Sequence, residues 1–253
     1  MLFSIDGKTA LVTGGSRGIG KMIATGFVEA GAKVYIASRK FDVCEEVAAE
    51  LSKIGVCIPL AADLSTEAGC QALAAAITER EDRLDILVNN AGAAWGAPID
   101  DFDEAAFERA LALNVKGVFH LTKGLLPLLR AAGSQEEPAR VINIGSIDGL
   151  RVPALETYSY SASKAAVHML TRHLARRLAP TITVNAIAPG PFESNMMRAT
   201  LAAAGDAIAA GNPLKRIGRP DDVAGTAIYL ASRAGSYLTG AVIPVDGGIS
   251  SVG

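Results

Sequence analysis

A tyrosine and a lysine stand four residues apart in the segment 157–166, which reads TYSYSASKAA. In a helix, this spacing brings Tyr160 and Lys164 to one face, one turn apart. A nearby positive charge lowers the pKa of a phenol, which would make Tyr160 a proton-transfer catalyst. Lowering that pKa to neutral pH requires about 4 kcal/mol, more than one lysine in water supplies, so a second cation is expected. Tyr158 would face away from Lys164.

The same spacing is also typical of a tyrosine ring packed under a lysine stem with no chemical role. The rest of the chain decides between these interpretations. A glycine-rich turn, Thr13 to Gly20, follows the first predicted strand and leads into a helix. Glycines permit a close backbone approach, and a helix N-terminus attracts a pyrophosphate, so we predict a dinucleotide site. Its candidate cofactor-binding residues are Gly14, Ser16, Arg17, Gly18, Ile19 and Gly20.

The end of the second predicted strand indicates which dinucleotide is bound. An Asp or Glu there would accept a hydrogen bond from the ribose 2′-hydroxyl of NAD, whereas a basic residue suits the 2′-phosphate of NADP. The strand ends in Ser38, Arg39 and Lys40, without an acid. An arginine fork matches phosphate geometry, so we predict NADP(H), with Ser38 and Arg39 as binding residues and Arg17 nearby. Alternatively, Arg39 and Lys40 are a solvated strand end, and Asp42 reaches back to this end of the strand.

Composition limits the remaining possibilities. The chain has 253 residues, 50% of them hydrophobic, with 24 basic and 26 acidic residues for a net charge of -2. This balance disfavours nucleic acid or an anionic membrane as a partner. Charges near the start, and the lack of an apolar stretch of about 20 residues, lead us to expect a cytoplasmic protein. No metal site is predicted, because neither the cysteines nor the histidines have ligand spacing: Cys44, Cys57, Cys70, His120, His168 and His173.

Short apolar runs alternate with longer segments of helical period, which indicates βαβ units. The predicted strands are Thr9 to Val12, Lys33 to Ala37, Val56 to Leu60, Ile86 to Val88, Arg140 to Ile144, Thr181 to Ile187 and Ala241 to Val245. The predicted helices are Met22 to Ala30, Val43 to Ile54, Cys70 to Glu79, Ala105 to Leu129, Tyr160 to Leu178 and Asp222 to Ala231. We therefore predict an α/β fold: a single doubly wound domain over residues 1–253, with a seven-stranded parallel sheet and helices on both faces. Residues 131–138 are predicted to be a loop, and about 189–213 a substrate lid.

These features together resemble the short-chain dehydrogenase/reductase family over essentially the whole chain, which implies a Rossmann domain. The shared motifs are the turn Thr13 to Gly20, Asp63-Leu64, Asn89-Asn90-Ala91-Gly92, Asn114, Ser146, Tyr160-x-x-x-Lys164, Pro189-Gly190 and Val245-Asp246-Gly247-Gly248. Within the family, the chain is most similar to bacterial 3-oxoacyl-acyl-carrier-protein reductases, in particular the rhamnolipid-biosynthesis type of β-ketoacyl reductase.

The resemblance implies a catalytic role for four residues. Ser146 would bind the substrate carbonyl oxygen, and Tyr160 would donate its proton as general acid while the nicotinamide delivers hydride. Lys164 would bind the nicotinamide ribose, and the oxidised nicotinamide would be the second cation. Asn114 is implied to hold a water that connects Lys164 to solvent.

The resemblance also implies further cofactor contacts. Asp63 would contact adenine, and the loop from Pro189 would place the carboxamide. This loop departs from the family pattern Pro-Gly-x-x-x-Thr, because Ser194 replaces the threonine as the source of the hydroxyl. The implied binding residues are Asp63, Leu64, Asn90, Ala91, Gly92, Tyr160, Lys164, Pro189, Gly190 and Ser194.

The predicted reaction is NADPH-dependent reduction of a ketone, with a 3-oxoacyl thioester or related β-keto compound as the favoured substrate. The apolar residues Phe192, Met196 and Met197 of the predicted lid and Trp95 suit an acyl chain, although they could simply pack the lid onto the sheet. Acyl carrier protein or coenzyme A could carry the substrate. An acidic carrier protein could bind to a basic patch formed by Arg130, Arg172, Arg176 and Arg177. Two alternatives remain: a polyol, sugar-acid or other secondary-alcohol dehydrogenase, and a regulatory protein that senses dinucleotide. The resemblance also implies a homotetramer.

Overall fold

Seven strands form one sheet in the computed structural model, which describes residues 1–252. They are β1 (Thr9–Thr13), β2 (Lys33–Ser38), β3 (Cys57–Ala61), β4 (Ile86–Asn89), β5 (Ala139–Ile144), β6 (Ile182–Pro189) and β7 (Val242–Val245). Every neighbouring pair is parallel, and the strand order is β3-β2-β1-β4-β5-β6-β7. The predicted doubly wound parallel sheet is therefore confirmed.

Helices cover both faces of the sheet. They are α1 (Gly18–Glu29), α2 (Phe41–Leu51), α3 (Glu67–Thr78), α4 (Glu104–Leu111), α5 (Gly117–Ala132), α6 (Tyr158–Leu178), α7 (Arg198–Gly211), α8 (Pro220–Ala231) and α9 (Ile249–Val252). Apolar residues of α1, α2 and α8 form the core on one face, and those of α3, α5 and α6 form the core on the other. Among residues 1–252, no helix is both long enough and apolar enough to cross a membrane.

The chain reverses its direction of winding between β1 and β4, which are neighbours at the centre of the sheet. The carboxyl ends of parallel strands lie at the same edge, and a crevice opens where the winding reverses. The turns after β1, β2, β4, β5 and β6 therefore meet at this edge. They carry nearly all the residues that the sequence singled out.

One predicted helix is wrong as a continuous element. The segment Ala105 to Leu129 was expected to be a single helix, but a π-helical turn at Ala112–Lys116 separates α4 from α5. The apolar period hardly changes across this turn, so the sequence pattern did not reveal it. A π turn widens the helix by one residue, and such turns often occur at functional sites. Asn114 lies in its middle.

The segment after β6 also differs from the prediction. Residues 189–213 were expected to fall outside the strand–helix alternation, yet most of their second half is α7. This helix is rich in alanine and has non-helical backbone angles at Ala204. Phe192 is buried and pairs with Gly218 in an isolated bridge. This ring belongs to the core rather than to an exposed apolar surface, so it anchors the segment to the sheet.

Candidate active site

The glycine turn between β1 and α1 has the backbone geometry of a ligand cradle. Gly14 and Gly18 have φ angles of +65° and +51°, a region that side chains with a Cβ rarely adopt. A Cβ on Gly20 would lie 2.3 Å from the Gly14 carbonyl oxygen, so this residue must also be glycine. No side chain caps the N-terminus of α1. Its free N–H groups and positive dipole end suit a pyrophosphate.

Hydrogen bonds fix this turn to the end of β4. The Thr13 hydroxyl donates to the Val88 carbonyl and accepts from the backbone N–H groups of Asn90 and Ala91, at 2.9 and 3.0 Å. The Asn90 amide donates to the Thr13 carbonyl at 2.8 Å. This pairing holds the two turns on either side of the crevice at a set distance. The role of Thr13 was missed, although it belongs to the motif.

Basic side chains near the end of β2 are available for a phosphate. Within residues 1–252, neither Arg17 nor Arg39 forms an ion pair. Two hydrogen bonds from Ser65 lower the pKa of Asp63, and the charge of Arg39 lowers it further. The adenosine end of the predicted cofactor site therefore combines free guanidinium groups with one carboxylate held by Ser65.

Helix α6 places Tyr160 and Lys164 on one face, as their spacing predicts. The Lys164 Nζ atom lies 5.5 Å from the centroid of the Tyr160 ring. It donates a hydrogen bond to the carbonyl of Ile144, at the end of β5, at 2.7 Å. The Tyr158 phenol instead donates to Glu156 and its ring packs against Phe102, so it lies outside this group.

Electrostatics at this pair differ from the simple expectation. Burial raises the pKa of Tyr160 to about 12, a hydrogen bond with Ser146 opposes the rise, and the charge of Asp148 adds to it. Burial lowers the pKa of Lys164 to about 8. In the protein alone, desolvation therefore dominates the pKa of Tyr160. The second cation expected from the sequence stays a prediction.

Ser146 follows β5 and begins a short 3₁₀ turn, Ile147–Gly149. Its oxygen accepts a hydrogen bond from the Asp148 N–H at 3.1 Å. Because this bond occupies a lone pair, the hydroxyl proton is free to turn towards the crevice, where Tyr160 lies. Asp148 was not singled out from the sequence. The motif around Ser146 does not reveal a residue that acts through its backbone and charge.

Asn114 is buried and its amide is fully engaged. Its oxygen accepts from the Ala93 N–H at 2.8 Å, and its nitrogen donates to the Ala93 carbonyl and the Ser163 hydroxyl at 2.9 Å each. A Cβ on Gly92 would lie 3.3 Å from the Asn114 oxygen and 3.6 Å from Lys164 Nζ. Asn114 therefore ties the turn after β4 to α6. The relay through a water molecule stays a prediction.

A cavity of about 590 Å³ lies between the segment after β6 and the start of α1. Gly18, Ser194, Arg198 and Ile217 are among its lining residues, whereas Tyr160 is not. A Cβ on Gly18 would lie 3.2 Å from the Ser194 Cβ, so this serine approaches the glycine cradle. The cavity adjoins the phosphate end of the predicted cofactor site rather than the proton donor.

Three further predicted binding residues, Pro189, Gly190 and Leu64, are closely packed. Pro189 ends β6, and Gly190 packs against Asp246 so closely that a Cβ would meet it at 2.7 Å. The Leu64 side chain is buried in the core, which leaves only its backbone for a ligand. The structure thus brings to one edge of the sheet the predicted residues Gly14, Gly18, Asn90, Gly92, Asn114, Ser146, Tyr160, Lys164 and Ser194.

Comparison with known proteins agrees with this arrangement. A family model described as enoyl-(acyl carrier protein) reductase matches residues 14–250. The chain belongs to the short-chain dehydrogenase/reductase family. It is 51% identical over 249 residues to the rhamnolipids biosynthesis 3-oxoacyl-[acyl-carrier-protein] reductase of Pseudomonas aeruginosa, and the match covers 97% of each chain. The predicted family is therefore confirmed.

Solved structures of family members have the same fold. The Pseudomonas aeruginosa RhlG/NADP active-site complex matches with a TM-score of 0.95 and 50% sequence identity, over 98% of both chains. A gluconate 5-dehydrogenase from Burkholderia cenocepacia, in complex with NADP and tartrate, matches with a TM-score of 0.92 and 33% identity. That match covers 100% of this chain and 98% of the other. One backbone therefore serves relatives that differ in substrate.

Proposed function

We propose that this protein is an NADPH-dependent reductase that converts a ketone to a secondary alcohol, with 3-oxoacyl thioesters or related β-keto compounds as its substrates. The observation that carries the proposal is the meeting of Ser146, Tyr160 and Lys164 beside the glycine cradle. The free guanidinium group of Arg39 supports NADP over NAD. The 3-oxoacyl reductase and the NADP complex among the similar proteins support the same choice.

The residues of the chain have distinct tasks in this reaction. Bound NADPH would supply the hydride to the carbonyl carbon. The Ser146 hydroxyl binds the carbonyl oxygen, and the phenol of Tyr160 transfers its proton to that oxygen as negative charge develops there. A pKa of about 12 keeps Tyr160 protonated at neutral pH, as an acid requires. With a pKa of about 8, Lys164 is charged at pH 7 and stabilises the phenolate left behind.

The loops after β4 and β5 carry exposed apolar side chains, which favour a neutral, partly apolar substrate. Trp95, Val152 and Leu155 are 51%, 91% and 55% exposed, and a hydrogen bond of 3.2 Å from the Ala97 N–H to the Glu156 carbonyl joins the two loops that carry them. Exposed apolar side chains on loops that meet can bind an apolar ligand. Such side chains suit an acyl chain better than a polyol.

A sugar-acid dehydrogenase is the competing proposal, because a gluconate 5-dehydrogenase shares the fold. Asp148 weighs against it, since its charge reaches Tyr160 and would repel an anionic substrate. A dinucleotide sensor without turnover would need no proton donor or substrate-binding hydroxyl. The presence of Ser146, Tyr160 and Lys164 together argues against that alternative.

The decisive experiment compares two tyrosines on one helix. NADPH oxidation is measured with acetoacetyl-coenzyme A, ethyl acetoacetate, a keto sugar acid and a cyclic ketone. Tyr160→Phe should lower kcat by about a hundredfold or more, because it removes the general acid. Tyr158→Phe, the matched control, should keep kcat within about twofold, since the hydroxyl that it removes bonds to Glu156, outside the site. Full turnover of Tyr160→Phe would refute the assigned proton donor, and a preference for the keto sugar acid would refute the substrate class.

Assembly, carrier and location are further parts of this proposal. We propose a homotetramer in the cytoplasm that accepts its substrate from acyl carrier protein or coenzyme A. Exposed apolar residues on α4, α5 and α6 support association through these helices: Phe107, Phe119 and Met169. Light scattering of the purified protein tests the assembly, and a monomer at all concentrations would refute it.

A further inference from the structure

A buried histidine follows the catalytic pair on the same face of α6. His168 comes four residues after Lys164 and eight after Tyr160, so the three side chains stand in one row along the helix. The side chain is only 3% exposed. Neither ring nitrogen has a hydrogen-bond partner within residues 1–252. A buried polar group without partners is uncommon and calls for a physical explanation.

The imidazole packs against both ends of the turn that carries Ser146. A Cβ on Gly145 would lie 2.2 Å from the His168 Nε2 atom and 2.7 Å from its Cδ2 atom. A Cβ on Gly149 would lie 2.8 Å from the His168 Cε1 atom. These separations leave no room for a side chain at either glycine. The ring therefore fills the space between α6 and the backbone on both sides of Ser146.

A second contact joins the same two elements. Lys164 bonds to the carbonyl of Ile144, directly before Gly145. The strand end is thus fixed to α6 by Lys164, whereas the turn beyond it rests on the ring of His168. The separation between the Ser146 hydroxyl and the Tyr160 phenol depends on both contacts, because these two groups lie on the two elements that the ring separates.

We propose that His168 is a positioning residue for carbonyl reduction: its ring sets the distance between Ser146 on its turn and Tyr160 on α6. This inference rests on the proposed function. The ring acts as a neutral spacer, because burial and the nearby charges of Lys164 and Arg172 lower its pKa to about 4. It is therefore uncharged at pH 7, and it adds no second cation beside Lys164.

Substitution of the ring should misplace Ser146 without removing the cofactor site. A displacement of about 1 Å in a catalytic group can cost about a hundredfold in rate. We therefore expect His168→Ala to lower kcat for acetoacetyl-coenzyme A by about tenfold to a hundredfold. The Kd for NADPH, measured by fluorescence, should stay within about twofold, because the ring does not contact the glycine cradle. His173→Gln, at an exposed position on the same helix, is the matched control and should leave both quantities unchanged.

Double substitutions separate a spacer from a general loss of packing. In Gly145→Ala the new methyl group overlaps the His168 ring, and the next obstacle is the Ile187 carbonyl at 3.3 Å. Removing the ring should therefore restore kcat. The kcat of the double variant Gly145→Ala/His168→Ala should exceed the value expected from the product of the two single effects by about threefold or more. In Gly149→Ala the methyl group meets the backbone of Lys164 and Ala165 at 2.7 Å. Adding His168→Ala to that variant should restore nothing.

The outcomes distinguish the two proposals. If the wild-type protein reduces none of the β-keto compounds, the proposed function is wrong. If the wild type turns over and His168→Ala keeps kcat within about twofold, the role of His168 is refuted. Equal recovery in both double variants would also refute it. Should His168→Ala fail to fold or to bind NADPH, His168→Val is measured instead, because it keeps an apolar filling but not the reach of the ring. A kcat within about twofold of the wild type, together with an unchanged KM, would then refute the proposal.

Discussion

Replacement of Lys164 by methionine should stabilise the protein and abolish its activity. Burial lowers the pKa of this amine from 10.5 to about 8. At about 1.4 kcal/mol per pKa unit, keeping the charge in this site costs the folded state about 3 kcal/mol at pH 7. Methionine has a similar unbranched shape and no charge, but it leaves the Ile144 carbonyl without its donor, a loss of about 1–2 kcal/mol. The net gain is about 1–2 kcal/mol at pH 7.

The gain should depend on pH in a defined direction. Because the folded-state pKa of Lys164 is depressed, the unfolded state binds more protons between pH 8 and 10.5, and wild-type stability rises across that window. The advantage of Lys164→Met should therefore shrink by about 2 kcal/mol between pH 7 and pH 9.5. Lys123→Met, at an exposed position on α5, is the control and should show neither the gain nor the pH dependence.

The assay is urea denaturation without dinucleotide, followed by circular dichroism at pH 7 and pH 9.5. NADPH oxidation by the same variant should fall by about a hundredfold or more, because the phenolate of Tyr160 loses its counter-charge. A variant that is less stable than the wild type at pH 7, or whose advantage stays constant up to pH 9.5, would refute the reasoning. Either result would mean that the ammonium group of Lys164 is better solvated than its burial indicates.

Three further predictions concern other parts of the molecule. In fluorescence titrations, Arg39→Asp should raise the Kd for NADPH by about tenfold or more and leave the Kd for NADH almost unchanged. An equal change in both Kd values would contradict the assigned phosphate contact. Because the folded-state pKa of His168 is depressed to about 4, wild-type stability to urea should fall by about 3 kcal/mol from pH 6.5 to pH 4, and His168→Leu should lose clearly less. Burial raises the pKa of the thiols of Cys44, Cys57 and Cys70. Ellman's reagent at pH 8 should therefore modify them only after unfolding, and rapid reaction of the native protein would contradict this prediction.

Local patterns were sufficient for the layout of the fold. Apolar runs of strand length alternating with helical periods predicted all seven strands, because a parallel sheet buried on both faces requires such runs. Strand ends shifted by a residue or two, as for β3, which begins at Cys57 rather than Val56. Helix ends shifted by up to four residues, as for α1, which begins at Gly18 rather than Met22. The π turn around Asn114 and the helix α7 were missed. Neither interrupts the apolar period or carries a strong end signal, and alanine-rich segments without buried residues give little pattern.

The amino-acid sequence by itself determined which residues could do chemistry: the four-residue spacing selected Tyr160 over Tyr158, and the glycine turn with Arg39 indicated a dinucleotide. Only the tertiary structure decided how those groups behave. It buried Lys164 and left Tyr160 half-buried beside it, so desolvation raised the pKa of Tyr160 and lowered that of Lys164, against the simple effect of a neighbouring charge. It also placed His168 against the turn that carries Ser146. Spacing along a chain specifies which side chains share a helix face, whereas burial depends on every element packed around that face.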